Sequence, residues 1–531
     1  MKKNSFTVWL MASIVLFAFV GAFAKIMTSL NHNEHMYHAA SVFVSQNKVL
    51  YKDFAYVQMP YLPLLYGNLY KLLGVDSYYL LIGKLFSFLF LSISAAILFL
   101  IARRVLNDIV PALGIVALFL LNTTILNPAT EISNYIMPLA FSLAGFYLFS
   151  GVTNQTKPFV PALAGFFVAL AIGTKLTYAT TVIPFVVVSL LYPLMNGQSV
   201  ITLRRSIVYI LLPFVVGAAI GFIPLLSYMS DFEAFMFNNL GYHNTNTQWR
   251  EMTGYTRPMS MYAKIFYAHS VLLQPDNLIL LLGIVLGLGL SFDSFRAAKT
   301  AIKQMPVGAF LAILLFFIAI PTALAPTPSF FQYYAIPVSF LFLVLVYVWA
   351  SRSADTSTLN RRWLLILVLA ALVYNGPSLL NSAYRLTQRD AWAGLRVHDV
   401  SMNVRKAIID NGVDANRKIA TLSPLYAIEA NLPIYPQFST GPFLYRISDL
   451  LTPKQRNHFV GTSQKSVKEL LNAEPPAAIL VGLEGNLDEP LIEYGKSNNY
   501  KEVAVPGLGG KLYVRPEAVT DVDLPMRSNG F

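Results

Sequence analysis

Long apolar runs separated by short polar breaks fill the first 384 residues, at 6–30, 78–101, 110–126, 134–150, 158–173, 176–195, 206–228, 277–292, 307–324, 333–350 and 363–380. A helix crossing the hydrocarbon of a bilayer needs roughly 20 mostly apolar residues. The pattern therefore predicts an α-helical polytopic membrane protein of about eleven transmembrane helices. Beyond residue 385 the periodicity changes. Val400 to Asn411 has helical spacing, Lys418 to Leu422 and Ala477 to Val481 read as short buried strands, and Val503 to Val514 reads as a glycine-turned hairpin. The tail, 385–531, is thus expected to be a small α/β domain, and at about 145 residues it is long enough to bury its own core.

Three polar stretches stand outside the runs: 31–77, 229–276 and the tail. The first run follows Lys2 and Lys3, as a signal peptide would. It is longer than a signal core and lacks a small-residue cleavage site, so it is read as the first helix. If the N-terminus is cytoplasmic, the inner segments hold Lys2, Lys3, Arg103, Arg104, Lys157, Arg204, Arg205, Arg296, Lys299, Lys303, Arg352, Arg361 and Arg362, whereas the short outer loops hold only Lys175. Cations concentrate on the cytoplasmic side of membrane proteins. The expectation is a protein of the cytoplasmic (inner) membrane, with the C-terminal domain in the periplasm or outside. This parity requires a chain reversal at Gly173-Thr174-Lys175; without it Arg204 and Arg205 would face outward.

Composition agrees: 55% of the 531 residues are hydrophobic, 12% are charged, and mean hydropathy is +0.54. The net charge of +12 is topological, since residues 1–384 carry +11 and the remainder +1. No basic stripe for nucleic acid is implied. The chain has no cysteine, which excludes disulfides and thiolate metal sites. No internal repeat is visible. The spans show neither clear midplane carboxylates nor clear helix breaks, features expected of an ion-coupled transporter.

Eight acids fall on the outer side: Glu34, Asp53, Asp76, Glu131, Asp231, Glu233, Glu251 and Asp276. Glu34, in Asn31-His-Asn-Glu-His-Met-Tyr-His38, sits just beyond the first helix, and Glu131 lies in a tight loop between helices three and four. A carboxylate partly desolvated at a bilayer surface has its pKa raised and can serve as a general base; an isolated acid there is more often a cap or a solvated loop charge. Lys175, Lys84 and Arg257 are candidates to hold a lipid phosphate, against the commoner role of snorkelling to headgroups. His32, His35 and His38, spaced by three beside Glu34, make Glu34, His35 and His38 candidates for a divalent metal. The alternative is a polar helix face at the interface.

Over residues 1–384 the order of these features resembles the GT-C glycosyltransferases that use polyprenyl-phosphate sugars, such as protein O-mannosyltransferases and lipid A aminoarabinose transferases. Their Asp-Glu pair followed by Tyr resembles Asn33-Glu34-His35-Met36-Tyr37, with Asn33 in place of the aspartate. A later segment resembles Asn47 to Asp53, and a proline-rich one Gln58-Met59-Pro60-Tyr61-Leu62-Pro63. Lys84 matches a basic residue of helix two and Glu131 an acid after helix three. Gly173-Thr174-Lys175, Arg257-Pro258 with Tyr262, and Gln332-Tyr333-Tyr334 match later segments. The resemblance implies an inverting transfer of a sugar from a polyprenyl-phosphate donor to a hydroxyl of a glycan, lipid or protein acceptor. Glu34 would then be the base, Glu131 would orient acceptor or metal, and Lys175, Arg257 and Lys84 would stabilise the departing phosphate, with Asp53, Tyr37 and Tyr333 also binding substrate. The competing classes are a lipid or solute transporter, and a non-catalytic component of a glycan assembly pathway.

Overall fold

The structure is a computed structural model that describes residues 2–153, 155–195, 202–254, 257, 259–289, 305–350 and 357–516, with the side chains of 2–5 and 357–360 left aside. The inner cations Arg296, Lys299, Lys303 and Arg352 and the proline Pro258 lie outside what is described, as do the side chains of Lys2 and Lys3.

Among the described residues, seven helices are long and apolar enough to cross a membrane, or up to nine if each of two bent pairs is one span. Two shorter apolar helices, Ile136–Phe149 and Phe159–Thr174, coincide with the remaining predicted runs. The chain is an integral membrane protein. In order, α1 is Lys2–Thr28, α2 Glu34–Ser45, α3 Tyr61–Leu72, α4 Tyr79–Leu106, α5 Ile109–Leu121, α6 Thr123–Ala129, α7 Ile136–Phe149, α8 Phe159–Thr174 and α9 Val182–Met195. Helices α2 and α3 are the first polar stretch folded back as a pair, although most of α2 is buried.

The bends correct the sequence reading, which found no broken helices. Asn122 ends α5 and caps α6, its Oδ1 accepting from the Ile125 N–H at 3.2 Å, and the chain turns by 59°. A second break, of 76°, separates Met261–Leu272 from Pro275–Gly289. The two breaks satisfy each other. Asn122 Nδ2 donates to Asn277 Oδ1 at 2.9 Å, Asn277 Nδ2 donates to Thr124 Oγ1 at 2.9 Å, and Asp276 accepts from the Thr123 backbone. Interrupted helices are tolerated at membrane depth where such partners replace the lost backbone bonds. Asp276, read from sequence as an outer-loop acid, is one of these partners.

The reversal at Lys175 is present. Lys175 is extended (φ −148°, ψ 115°) between α8 and a 3-10 turn, Leu176–Thr181, that leads into α9. Tyr192, late in α9, donates to the Val152 carbonyl ahead of α8 at 3.2 Å, so α9 runs back along α8. Helix α8 also packs backbone to backbone on the span Leu203–Leu226: a Cβ on Gly165 would lie 1.9 Å from the Phe214 carbonyl, and one on Gly217 1.8 Å from that of Ala162. Contacts this close require small residues on both helices.

Charged groups divide between the two ends of the bundle. Arg104 bonds Ser150 at 2.6 Å, and Arg361 pairs with Asp108 at 2.6 Å, at one end. Lys25, the α2 region, Glu131 and Lys175 are at the other, where the C-terminal region sits.

That region begins with the helix Ala393–Asp410, whose Gly394 lets it approach the Leu81 backbone of α4; a Cβ there would come within 2.7 Å of the Leu81 Cα. A four-stranded sheet follows, β1 Ile419–Thr421, β2 Ala478–Val481, β3 Lys501–Val503 and β4 Lys511–Val514, in the order β1-β2-β4-β3. Strands β1 and β2 are parallel; β4 is antiparallel to both β2 and β3. The predicted strands and hairpin are all present. Residues between the strands hold this region to the bundle: the Glu429 carboxylate accepts the Leu80 N–H at the start of α4 at 3.1 Å, and Ser439 donates to the Ala55 carbonyl at 2.9 Å.

Candidate active site at the end of the bundle

A cavity of about 490 Å³ opens at this end. Its walls come from the α1–α2 turn, the α6–α7 turn, a polar helix at Tyr242–Met252, the segment Phe330–Tyr333, and Phe443 and Arg446 of the C-terminal region. Glu131 supplies the acidic side chain among the described lining residues, and Arg250, Arg257 and Arg446 the basic ones.

The bend after α5 and Pro128 within α6 deliver Glu131 to this wall. Asn31 Nδ2 donates to its Oε1 at 2.6 Å and Asn33 Nδ2 to its Oε2 at 3.3 Å. Burial pushes the carboxyl up to about 7; the nearby Glu34 charge adds to the rise, and Asn33, Lys84 and Lys175 oppose it. Asn33 stands where the resembled family has aspartate. A second carboxylate there would face Glu131 with like charge, whereas the amide donates to it.

Lys175 approaches from the reversal after α8. Gly173 makes room for this turn: a Cβ would lie 2.2 Å from the Tyr61 ring. The ammonium donates to Asn134 Oδ1 at 3.2 Å, lies 3.5 Å from the centre of the Tyr135 ring and 5.7 Å from that of Tyr333. Burial pulls it down to about 7, against the attraction of Glu131. The same Asn134 oxygen accepts from Tyr37 at 3.0 Å, and its amide donates to Gln58 Oε1 at 2.9 Å. Beyond Tyr333 the wall continues through Phe330, which has Arg250 at 5.6 Å and Arg257 at 5.3 Å from its ring centre.

The structure therefore brings together Glu131, Tyr37, Arg257 and Tyr333 on the cavity, with Lys175 at its wall. It places the other candidates differently. Glu34 and Lys84 are fully buried behind Glu131, paired at 2.7 Å. Glu34 also accepts from the Ile132 N–H at 2.9 Å and the Asn31 N–H at 2.9 Å, and Lys84 donates to the Thr130 carbonyl at 2.9 Å. Neither side chain lines the cavity, where Glu34 was expected as a substrate-facing base and Lys84 as a phosphate ligand; the pair ties α2, α4 and the Glu131 turn together. Asp53 closes its own turn by accepting the Val49 N–H at 2.7 Å and does not line the cavity.

The metal candidates diverge. Glu34 faces Lys84. His35 Nδ1 meets the Leu425 N–H at 3.4 Å, and His38 Nε2 lies 3.8 Å from Glu429. Burial holds both imidazoles down at about 3, and so neutral. His32 pairs with Glu484 at 2.7 Å. Among the described residues no three potential ligands converge, so this set does not fit a metal ion.

Sequence reasoning did not find Asn31, Asn134, His243, Arg250 and Arg446. A signal existed for one group: Tyr242, Asn246, Trp249 and Arg250 recur at helical spacing and all line the cavity.

No protein-family model and no curated protein sequence matches this chain. Solved structures do match. The aminoarabinose transferase ArnT from Cupriavidus metallidurans, in a crystal structure bound to undecaprenyl phosphate, covers 95% of this chain over 97% of its own length, with a TM-score of 0.61 at 12% identity. Its apo structure covers 97% and 98%, with a TM-score of 0.60 at 12% identity. The fold is that of the GT-C glycosyltransferases, as the sequence resemblance implied.

Proposed function

We propose, from a chain that carries the GT-C fold, that this protein transfers a sugar from a polyprenyl-phosphate donor to an acceptor hydroxyl, with inversion, at the extracytoplasmic face of the inner membrane. One observation carries the reading: the buried carboxylate of Glu131, the acidic side chain among the described lining residues, shares a cavity at the end of the bundle with Arg250, Arg257 and the nearby Lys175. A polyprenyl tail requires hydrocarbon while its phosphosugar requires a polar site, and a cavity at helix ends serves both. The undecaprenyl phosphate bound to ArnT supports a ligand of this class.

Glu131 takes the proton of the acceptor hydroxyl as that oxygen attacks the anomeric carbon. The bond between the anomeric carbon and the phosphate oxygen breaks, and the electron pair leaves with the lipid phosphate. A base is most effective when its pKa lies near the working pH, as the value of about 7 for Glu131 does. Lys175, Arg250 and Arg257 neutralise the charge that develops on the phosphate. Arriving phosphate raises the Lys175 pKa, so the ammonium is charged when it is needed. Asn31 and Asn33 aim the Glu131 carboxylate, and Asn134 aims Lys175.

Mass spectrometry of envelope glycans and lipid-linked intermediates in a deletion strain tests the function. One sugar should vanish from a glycan, lipid or protein while its polyprenyl-phosphate form accumulates, with rescue by wild type and not by Glu131→Gln. Unchanged glycans with no accumulating precursor would defeat the proposal. A single cysteine introduced at exposed Lys465 tests orientation against the cysteine-free background, and the proposed topology requires labelling from outside intact cells.

A further inference from the structure

Arg446 is the cation of the cavity that the leaving phosphate does not account for. It belongs to the C-terminal region, on the short helix Pro442–Ile447, and is held in a fixed frame. Its Nε donates to Asn246 Oδ1 at 3.1 Å and its Nη2 to the Tyr242 hydroxyl at 3.1 Å, while the guanidinium lies 5.4 Å from the Trp249 ring centre and 5.1 Å from that of Phe443. Its Nη1 has no hydrogen-bond partner among the described residues, and no carboxylate among them lies within ion-pair distance. Arginine is a rigid fork suited to planar, bidentate recognition of phosphate or carboxylate, and here the neutral partners orient it without cancelling its charge.

The lining residues supply three guanidinium groups against one carboxylate. A lipid phosphodiester brings one negative charge and leaves as a phosphate monoester of charge approaching −2. Lys175, Arg250 and Arg257, grouped around Tyr333 and Phe330, supply the counter-charge for that phosphate. Arg446 has different partners, a cage of Tyr242, Asn246, Trp249 and Phe443.

We propose that Arg446 is a specificity-determining residue that binds an anionic group, phosphate or carboxylate, on the acceptor, so that the C-terminal region selects acidic acceptors. This rests on reading the cavity as the transfer site.

The test uses the full-length protein in lipid nanodiscs, with glucosamine 1-phosphate and glucuronate as anionic probes, glucosamine and glucose as their neutral counterparts, and undecaprenyl phosphate as the donor-side ligand. Affinities are measured by titration on wild type, Arg446→Gln and Arg446→Lys, with thermal unfolding to verify folding. Wild type should prefer at least one anionic probe to its neutral counterpart. Arg446→Gln should lose that preference by at least roughly tenfold, as expected for a charge-assisted hydrogen bond, and Arg446→Lys should recover part of it. Undecaprenyl phosphate binding should stay within a few-fold. Preference for phosphate alone or for carboxylate alone identifies the source of the anion and supports the proposal. Equal binding of charged and neutral probes to wild type, or no binding of either, overturns it. A parallel loss of undecaprenyl phosphate in Arg446→Gln also overturns it, by assigning Arg446 to the donor side. Failure of wild type to bind undecaprenyl phosphate, with the Arg446-dependent preference intact, counts against the proposed transfer and leaves the anion site standing.

Discussion

Removing one member of the Glu34–Lys84 pair separates a structural role from a chemical one. In Lys84→Met the Glu34 carboxylate keeps the Ile132 and Asn31 N–H groups, at 2.9 Å each, and loses its ion-pair partner, at 2.7 Å. In Glu34→Gln the Lys84 ammonium remains fully buried with the Thr130 carbonyl and without its ion-pair partner. Stranding a buried charge in this way costs about 3–5 kcal/mol, whereas replacing both members by uncharged residues of similar volume is far less damaging. The double variant Glu34→Gln/Lys84→Met should therefore be more stable than the sum of the singles predicts, by a coupling of up to about 3 kcal/mol. Denaturant titration of the detergent-solubilised protein measures the three values, and transfer activity is assayed on the same samples. The account predicts that activity follows stability and returns in part in the double variant. If Glu34→Gln shifts stability by less than about 1 kcal/mol and still abolishes turnover, Glu34 acts in the chemistry and the structural assignment is wrong.

Three further outcomes follow from the geometry. The pH profile of kcat/KM should be bell-shaped and centred near neutrality: Glu131, raised to about 7, must lose its proton, so the rate rises with pH, and Lys175, lowered to about 7, must keep its own, so the rate falls above it. The two groups attract each other, so the limbs report the pair, but Lys175→Arg should extend the alkaline limb; a profile flat from pH 5 to 9 would exclude both roles. Gly173→Ala pushes a methyl against the Tyr61 ring and should cost about 1–3 kcal/mol with loss of turnover; adding Tyr61→Ala should restore part of the activity, and no rescue would show that the close approach is unimportant. Asp108→Asn breaks the partly exposed Arg361 pair at the opposite end and should change stability by no more than about 1 kcal/mol, with transfer unaffected. A large fall in turnover would mean that this end communicates with the cavity.

The spans were legible because bilayer burial demands long uninterrupted apolar runs, and the reversal at Lys175 because charge parity required it. The strands of the tail were legible because they alternate with turn residues. The breaks at Asn122 and Gln274 were not: their polar groups, Asn122, Asp276 and Asn277, are satisfied by each other across about 150 residues of chain, and such pairing leaves no local periodicity. The site divides in the same way. Glu131, Lys175 and Arg257 stand out as charges beside apolar helices. The roles of Glu34 and Lys84 depend on whether they meet each other, 50 residues apart, and Arg446 reaches the cavity from a region whose docking has no signature in the chain. Only the fold distinguishes an acid that faces a cavity from one that supports the wall behind it.

The most direct measurement reconstitutes the purified protein in liposomes with a radiolabelled polyprenyl-phosphate sugar and an acceptor extract, and follows glycosylated acceptor and free lipid phosphate together. The account predicts one lipid phosphate released for each sugar transferred by wild type, and loss of both in Glu131→Gln, which retains one oxygen to accept from Asn31 or Asn33 but lacks the base. Sugar that crosses the membrane still attached to its lipid, or wild-type turnover in Glu131→Gln, would contradict it.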